Sequence, residues 1–127
     1  MADERIERGL ATIKELFPDP SNIPGGNFSY PAEIKDDWNA LAVSTVMGDV
    51  WGRPGLPKKN RAMITIAALT VLGRQEQLKV YIAAALNLGL TRSEICEVIF
   101  QMAVYGGFPA AISALESASA VFEQHAG

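Results

Sequence analysis

The chain has 127 residues, 49% of them hydrophobic, and its 11 Lys and Arg stand against 14 Asp and Glu for a formal charge of -3. That length supports one substantial core and leaves no room for separate catalytic and regulatory domains, so residues 1-127 read as a single domain. The one basic block, Pro57-Lys58-Lys59-Asn60-Arg61, falls short of the clustered positive charge that nucleic acid or an anionic membrane surface requires, and neither is an expected partner.

In chain order, Met1-Ala2-Asp3-Glu4-Arg5 lacks the positive n-region and apolar stretch of a secretory signal. A short charged helix follows, with Ile6, Leu10, Ile13 and Phe17 as its apolar stripe and Glu7 and Glu15 facing away, until Pro18-Asp19-Pro20 ends it. Ser21 to Pro31 reads as an ordered loop or arm, because Asn22-Ile23-Pro24-Gly25-Gly26-Asn27 cannot continue a helix; Phe28 and Tyr30 are its expected anchors. Ile34, Trp38, Leu41, Val46 and Val50 mark a helix over 34 to 50 that runs into Trp51-Gly52-Arg53-Pro54-Gly55. Lys58 to Leu72 is the next helix, with Pro57 near its first turn, where a missing N–H costs nothing, and Gly73 closing it. Its apolar run from Met63 is broken by Thr65 and Thr70 and is too short to span a bilayer. Leu78 to Leu88 is another apolar helix, ended by Gly89. Thr91-Arg92-Ser93-Glu94 supplies a capping box for a helix from Glu94 to Tyr105, and the last helix runs from Pro109 to Glu123. No segment combines strict alternation with hairpin turn signals, so the predicted fold is all-α.

Small residues crowd these helices, as in Ala67-Ala68, Ala83-Ala84-Ala85 and the stretch from Ala110 to Ala120. They permit close helix crossings but leave a lone subunit few bulky groups to bury, which favours a homo-oligomer in which Ile99, Met102 and Phe108 form subunit contacts. Cys96 is the only cysteine, so neither a disulfide framework nor a thiol-rich zinc site is available within one chain, and a reducing cytoplasm is the expected compartment. Cys96 reads as a buried small hydrophobe, Glu76 as a solvated surface charge, and His125, beside the terminal Gly127, as a frayed end unsuited to catalysis.

Two segments interrupt the helical pattern and are the places to look for a site: Gly48-Asp49-Val50-Trp51-Gly52-Arg53-Pro54-Gly55-Leu56 and Tyr105-Gly106-Gly107-Phe108-Pro109-Ala110-Ala111. Asp49 and Arg53 are spaced to meet within a final helical turn, as a structural ion pair under Trp51 or with Arg53 free to clamp a substrate carboxylate. Arg61, one turn into its helix, either snorkels outward or points into a polar pocket. Gln77 and Tyr81 share a helix face, where an amide and a phenol can orient a substrate carbonyl or where the Tyr81 hydroxyl can simply satisfy a backbone group. The amides of Tyr105-Gly106-Gly107 either receive an anion or form an ordinary C-cap.

These motifs, with Arg61-Ala62-Met63-Ile64, Leu72-Gly73-Arg74, Ala84-Ala85-Leu86-Asn87-Leu88-Gly89-Leu90-Thr91 and Glu94-Ile95, resemble the carboxymuconolactone decarboxylase family over about residues 35 to 120, in its decarboxylase branch more than its alkylhydroperoxidase branch. The resemblance implies an all-helical alkylhydroperoxidase-like or carboxymuconolactone decarboxylase-like subunit in a ring-like trimer or hexamer, with pockets near subunit boundaries and no cofactor or metal. The departures are as informative. The peroxidase branch carries two cysteines and a histidine where this chain has Arg74, Gln77 and Tyr81; the decarboxylase branch usually carries glutamate at Gln77, histidine at Tyr81 and often arginine at Ala83. Its glutamate before the Val-Trp pair is Asp49 here.

The resulting expectation is a cofactor-free lyase or isomerase, decarboxylase-like, acting on a small, anionic, cyclic or unsaturated oxo acid or lactone. Asp49, Tyr81 and Gln77 are its candidate catalytic residues, and Trp51, Arg53, Arg61 and Tyr105 its candidate substrate-binding residues. A non-catalytic small-molecule-binding homologue is the alternative. A thiol peroxidase is disfavoured, having one unpaired cysteine at the wrong position.

Overall fold

The structure, a computed structural model, describes residues 2–24 and 28–125, without the side chains of Ala2 and Asp3. Met1, the Gly25-Gly26-Asn27 part of the predicted arm and the terminal Gly127 lie outside the described residues. Six α-helices and one π-helical segment make up the regular structure, with no strand among the described residues, as the periodicity predicts.

Helix α1 spans Ala2–Leu16. Its buried face is Gly9, Thr12 and Leu16, continued by Phe17, whereas Leu10 of the predicted stripe is exposed. The reason is steric. A Cβ on Gly9 would overlap the carbonyl oxygen of Val43, and one on Gly48 would overlap that of Arg5, so the two backbones meet where side chains are absent and the bulkier stripe is turned aside.

Helix α2, Lys35–Leu41, runs without a break into the π segment, Ala42–Val50, where hydrogen bonds reach five residues back; Trp51 N–H still donates to the Val46 carbonyl at 2.9 Å. The predicted helix over 34 to 50 is therefore continuous but changes its winding at Ala42. Its apolar stripe is not core. Ile34, Trp38, Leu41, Val46 and Val50 are all exposed, no residue of α2 is buried, and Ser44 and Gly48 face inward instead. Phe28 and Tyr30 are exposed too, and Tyr30 meets only the Trp38 ring, at 5.9 Å between centroids.

The remaining helices are α3 (Lys58–Leu72), α4 (Gln75–Asn87), α5 (Arg92–Gly106) and α6 (Phe108–His125). Pro57 caps α3 at its start, and Gly73, at φ 73°, ends it in the left-handed region that glycine adopts without strain. The predicted capping box forms: Thr91 Oγ1 accepts from Glu94 N–H at 3.0 Å and Glu94 Oε1 from Thr91 N–H at 2.8 Å, which places the start of α5 at Arg92. These four helices enclose Ile66, Leu78, Ile82, Ile95, Ile99 and Val121, with Ala62, Ala83, Ala84, Ala85, Ala114 and Ala118 letting them approach closely. Ile99 is thus internal core and not subunit contact, while Phe108 is 72% exposed. Cys96 is half-buried, short of the full burial expected.

Helix α1 and the π segment are tied to this core at a few points. Trp51 is buried in it, Lys58 Nζ lies 3.7 Å from Glu15 Oε1, and Asn87 Nδ2 donates to the Leu16 carbonyl at 2.8 Å. His125 Nε2 lies 3.1 Å from Asn87 Oδ1, so this histidine belongs to a link between the ends of α1, α4 and α6 and is not the frayed residue its position predicts. Phe100, Val104, Phe108, Ile112 and Leu115 line an apolar groove of about 460 Å³ along α5 and α6. Among the described residues, no helix is long and apolar enough to cross a membrane.

Candidate active site

The end of the π segment distributes three consecutive functions. Gly48 brings the backbone against α1, Asp49 reaches the side chains of α1, and Trp51 enters the core at 4% exposure. The indole stacks on Tyr81 of α4, with centroids 5.9 Å apart and planes at 20°. Burial pushes the Tyr81 phenol above its ordinary value of 10.0, so at neutral pH it is a protonated hydrogen-bond donor.

Asp49 does not pair with Arg53. Its partner is Arg5, four helical turns before it in no local sense but across the α1 crossing: Arg5 Nη2 lies 2.6 Å from Asp49 Oδ2, and Nε lies 3.0 Å from Oδ2 and 3.1 Å from Oδ1. Arg8 Nη2 stands 3.5 Å from Oδ1, and Arg5 Nη2 also donates to Thr45 Oγ1 at 3.4 Å. The Arg5 hydrogen bonds hold the Asp49 carboxyl below its ordinary value of 3.8, against a smaller desolvation effect. The local ion pair expected from the four-residue spacing loses to a long-range one because the π winding rotates Asp49 toward α1.

Asp49 and Arg53 nevertheless share a cavity. It has a volume of about 510 Å³ and is lined by Arg8, Gly48, Asp49, Gly52, Arg53 and Pro54. Arg61 closes the loop from the α3 side: its Nη2 donates to the Arg53 carbonyl at 3.1 Å, and its Nε is buried with no partner among the described residues. Of the two readings of Arg61, the structure therefore shows an inward-turned guanidinium that braces the segment.

Gln77 and Tyr105 stand apart. Gln77 is exposed on α4, and neither residue hydrogen-bonds to another candidate. Tyr105 is 75% exposed beside Val104, at 80%, and the Gly106-Gly107 turn is an ordinary helix end: Gly107, at φ 95°, donates its N–H to the Ala103 carbonyl at 3.2 Å. Trp51 with Tyr81, Asp49 with Arg53, and Arg53 with Arg61 are the associations the fold makes. Arg5 and Arg8 were not singled out from the sequence. Their three-residue spacing marks one face of a helix, but a partner 44 positions away leaves no local trace. Among the described residues, no group of three or more His, Cys, Asp and Glu is disposed to hold a metal ion.

Comparison with known proteins agrees with the motif resemblance. The chain is 42% identical over 122 residues to a 4-carboxymuconolactone decarboxylase of Acinetobacter baylyi, covering 95% of this chain and 89% of that protein. It is 38% identical over 96 residues to an uncharacterised 15.0 kDa protein of Paracoccus denitrificans, covering 74% of this chain and 66% of that protein. It is 37% identical over 75 residues to a nitrosuccinic acid decarboxylase of Metarhizium robertsii, covering 59% of this chain and 52% of that protein. The carboxymuconolactone decarboxylase family model matches residues 36–120, and with Trp51, Arg53, Arg61 and Tyr81 all inside that span, this chain belongs to the carboxymuconolactone decarboxylase family.

Proposed function

We propose that the protein is a decarboxylase-like lyase that works without a cofactor on a small, anionic acid, and that the cavity shared by Asp49 and Arg53 is where that acid binds. The observation that carries this reading is the joining of a carboxylate, guanidiniums and an open cavity in a segment that lies within the family match. Two of the related proteins are named as decarboxylases, which supports the same reaction class for this chain.

Decarboxylation breaks a C–C bond and leaves its electron pair on carbon, so carbon dioxide departs neutral and the carbanion must be delocalised and then protonated. A substrate with an electron-withdrawing group beside the carboxylate supplies the delocalisation. Arg53 would hold the anion, and the Tyr81 hydroxyl, protonated by virtue of its burial, would donate to the oxygen on which charge develops. The hold of Arg5 on Asp49 counts against Asp49 as a proton donor and leaves it as a fixed negative charge. Gln77 has a part only if the pocket extends over the exposed side of α4.

One observation favours the alternative of a homologue that binds without turnover: burial raises the Tyr81 pKa and the arginines lower that of Asp49, so both move away from neutrality. Carbon dioxide release from 4-carboxymuconolactone and from nitrosuccinate decides between them. Release from nitrosuccinate or a related activated acid supports the lyase. With 4-carboxymuconolactone, the expected kcat is below about 1 s⁻¹, because Gln77 and Tyr81 replace the acid and base of the decarboxylase pattern. Binding of such acids with no release from any of them would sink the lyase in favour of the binding protein.

We also infer that the working form is a homo-oligomer, a trimer or hexamer. The exposed stripe from Ile34 to Val50 and the groove of Phe100, Val104, Phe108, Ile112 and Leu115 are two apolar surfaces that a lone subunit leaves in water.

A further inference from the structure

The cavity beside Asp49 carries more positive charge than its immediate segment accounts for. Three guanidiniums, from Arg5, Arg8 and Arg53, gather around a single carboxylate. Arg5 takes both Asp49 oxygens, with one contact of 2.6 Å, and so neutralises that carboxylate. Arg8 is left with a single 3.5 Å approach to Oδ1, on a side chain half exposed to solvent, and the Arg53 side chain has no hydrogen bond or ion pair. Both line the cavity. About two positive charges therefore face a space of about 510 Å³ in which Asp49 is the one acidic lining residue.

We propose that Arg8 and Arg53 form a clamp for a small dicarboxylate, with Arg5 as the positioning residue that keeps Asp49 from competing for it. The proposal rests on the reading of this cavity as the substrate site and adds two things to it: a specificity residue contributed by α1, and a dianionic ligand with two separated carboxylates. Guanidinium is suited to the task, because its planar fork meets a carboxylate through two parallel hydrogen bonds where an ammonium offers a point charge. The two arginines come from opposite sides of the α1 crossing, so a ligand that engages both spans the cavity lengthwise, which a compact anion such as phosphate does less well. The glycines contribute by absence: at Gly48 and Gly52 the lining is backbone, and no side chain occupies the space between the two guanidiniums.

Titration calorimetry of the full chain with succinate tests the clamp. Succinate has no electron-withdrawing substituent beside its carboxylates to drive decarboxylation, so its binding is independent of whether the protein releases carbon dioxide from any acid. Saturable binding is expected, weakened about tenfold or more by Arg8→Gln and by Arg53→Gln and lost in the double variant, with circular dichroism and assembly mass unchanged. Acetate should bind far more weakly than succinate, and inorganic phosphate more weakly as well. Arg92→Gln, far from the cavity on α5, serves as the control for a general loss of charge and should bind as the parent does. No saturable succinate binding, or binding indifferent to both cavity arginines, overturns the site. Acetate or phosphate binding as tightly as succinate overturns the dicarboxylate assignment. Carbon dioxide release from an activated acid by a protein whose Arg8→Gln variant is unimpaired in both KM and succinate affinity would leave the lyase standing and remove the clamp.

Discussion

Tyr81 and Asp49 are displaced from neutrality in opposite directions, and each displacement has a measurable consequence. For Asp49, the Arg5 hydrogen bonds make the folded pKa lower than the unfolded one. The pair therefore contributes stability that is fully present above the unfolded value, near 4, and that is lost as pH falls through the folded value. The difference in thermal midpoint between the wild type and Asp49→Asn should be constant from neutral pH down to about pH 5 and should shrink between there and about pH 2. A difference that is flat over that range would show that the Arg5 contact does not form in solution. For Tyr81, the stack on Trp51 and the protonated hydroxyl predict that Tyr81→Phe lowers turnover more than affinity, because a hydroxyl that stabilises developing charge acts mainly in the transition state. Equal kcat in the two proteins would remove Tyr81 from the mechanism. Cys96, half-buried on α5 and without a second thiol in the chain, should be dispensable: Cys96→Ala should keep any native activity within about twofold and leave peroxide consumption in a dithiol-coupled assay unchanged. Peroxide turnover by the wild type that vanishes in this variant would restore a thiol mechanism.

Among the elements, α3 to α6 were legible because proline, glycine and the Thr91–Glu94 box punctuate runs of strong helical periodicity, and the structure moves their ends by no more than a few residues. The N-terminal elements were read less well, for one physical reason. Sequence periodicity shows which face of a helix is apolar, whereas the crossing of α1 over the π segment buries the face that is smallest. A trace of the π winding is visible in retrospect. Leu41 and Val46 of the predicted stripe lie five apart, a spacing that keeps two residues on one side only where the turn is wide. The candidate site suffered from the same cause, since the winding that widens the turn also carries Asp49 away from Arg53 and toward Arg5. Gly9→Ala and Gly48→Ala should each destabilise the protein by about 1–3 kcal/mol, as overpacked methyl groups do in tight contacts, measured as a lower denaturation midpoint at unchanged slope. Gly55→Ala, with nothing within 4 Å of the added methyl, is the matched control and should be neutral or slightly stabilising. Equal effects at all three positions would mean that the close crossing is not what holds α1.

At the scale of the whole molecule, the distribution of apolar surface is the leading fact. Ile34, Trp38 and Leu41 cover nothing, and Phe100, Val104 and Phe108 stand open on α5 and α6. Light scattering at low micromolar concentration should therefore give a mass at least three times that of the 13.7 kDa chain. Val104→Asp should lower the mass while leaving the helical signal intact, because Val104 is 80% exposed within the subunit and an aspartate there harms only an interface. A wild type that stays monomeric would end the argument from exposed surface. The α1 crossing has one more consequence, for the covalent chain itself. Helix α1 is held by the Arg5–Asp49 pair, the close approach at Gly9 and the Asn87 bond to Leu16, while residues 28–34 between it and α2 are all exposed. The peptide bond that joins α1 to the rest is thus not what keeps it in place: a chain cut in that exposed stretch should remain a noncovalent two-piece protein, and α1 supplied as a separate peptide should find its seat again.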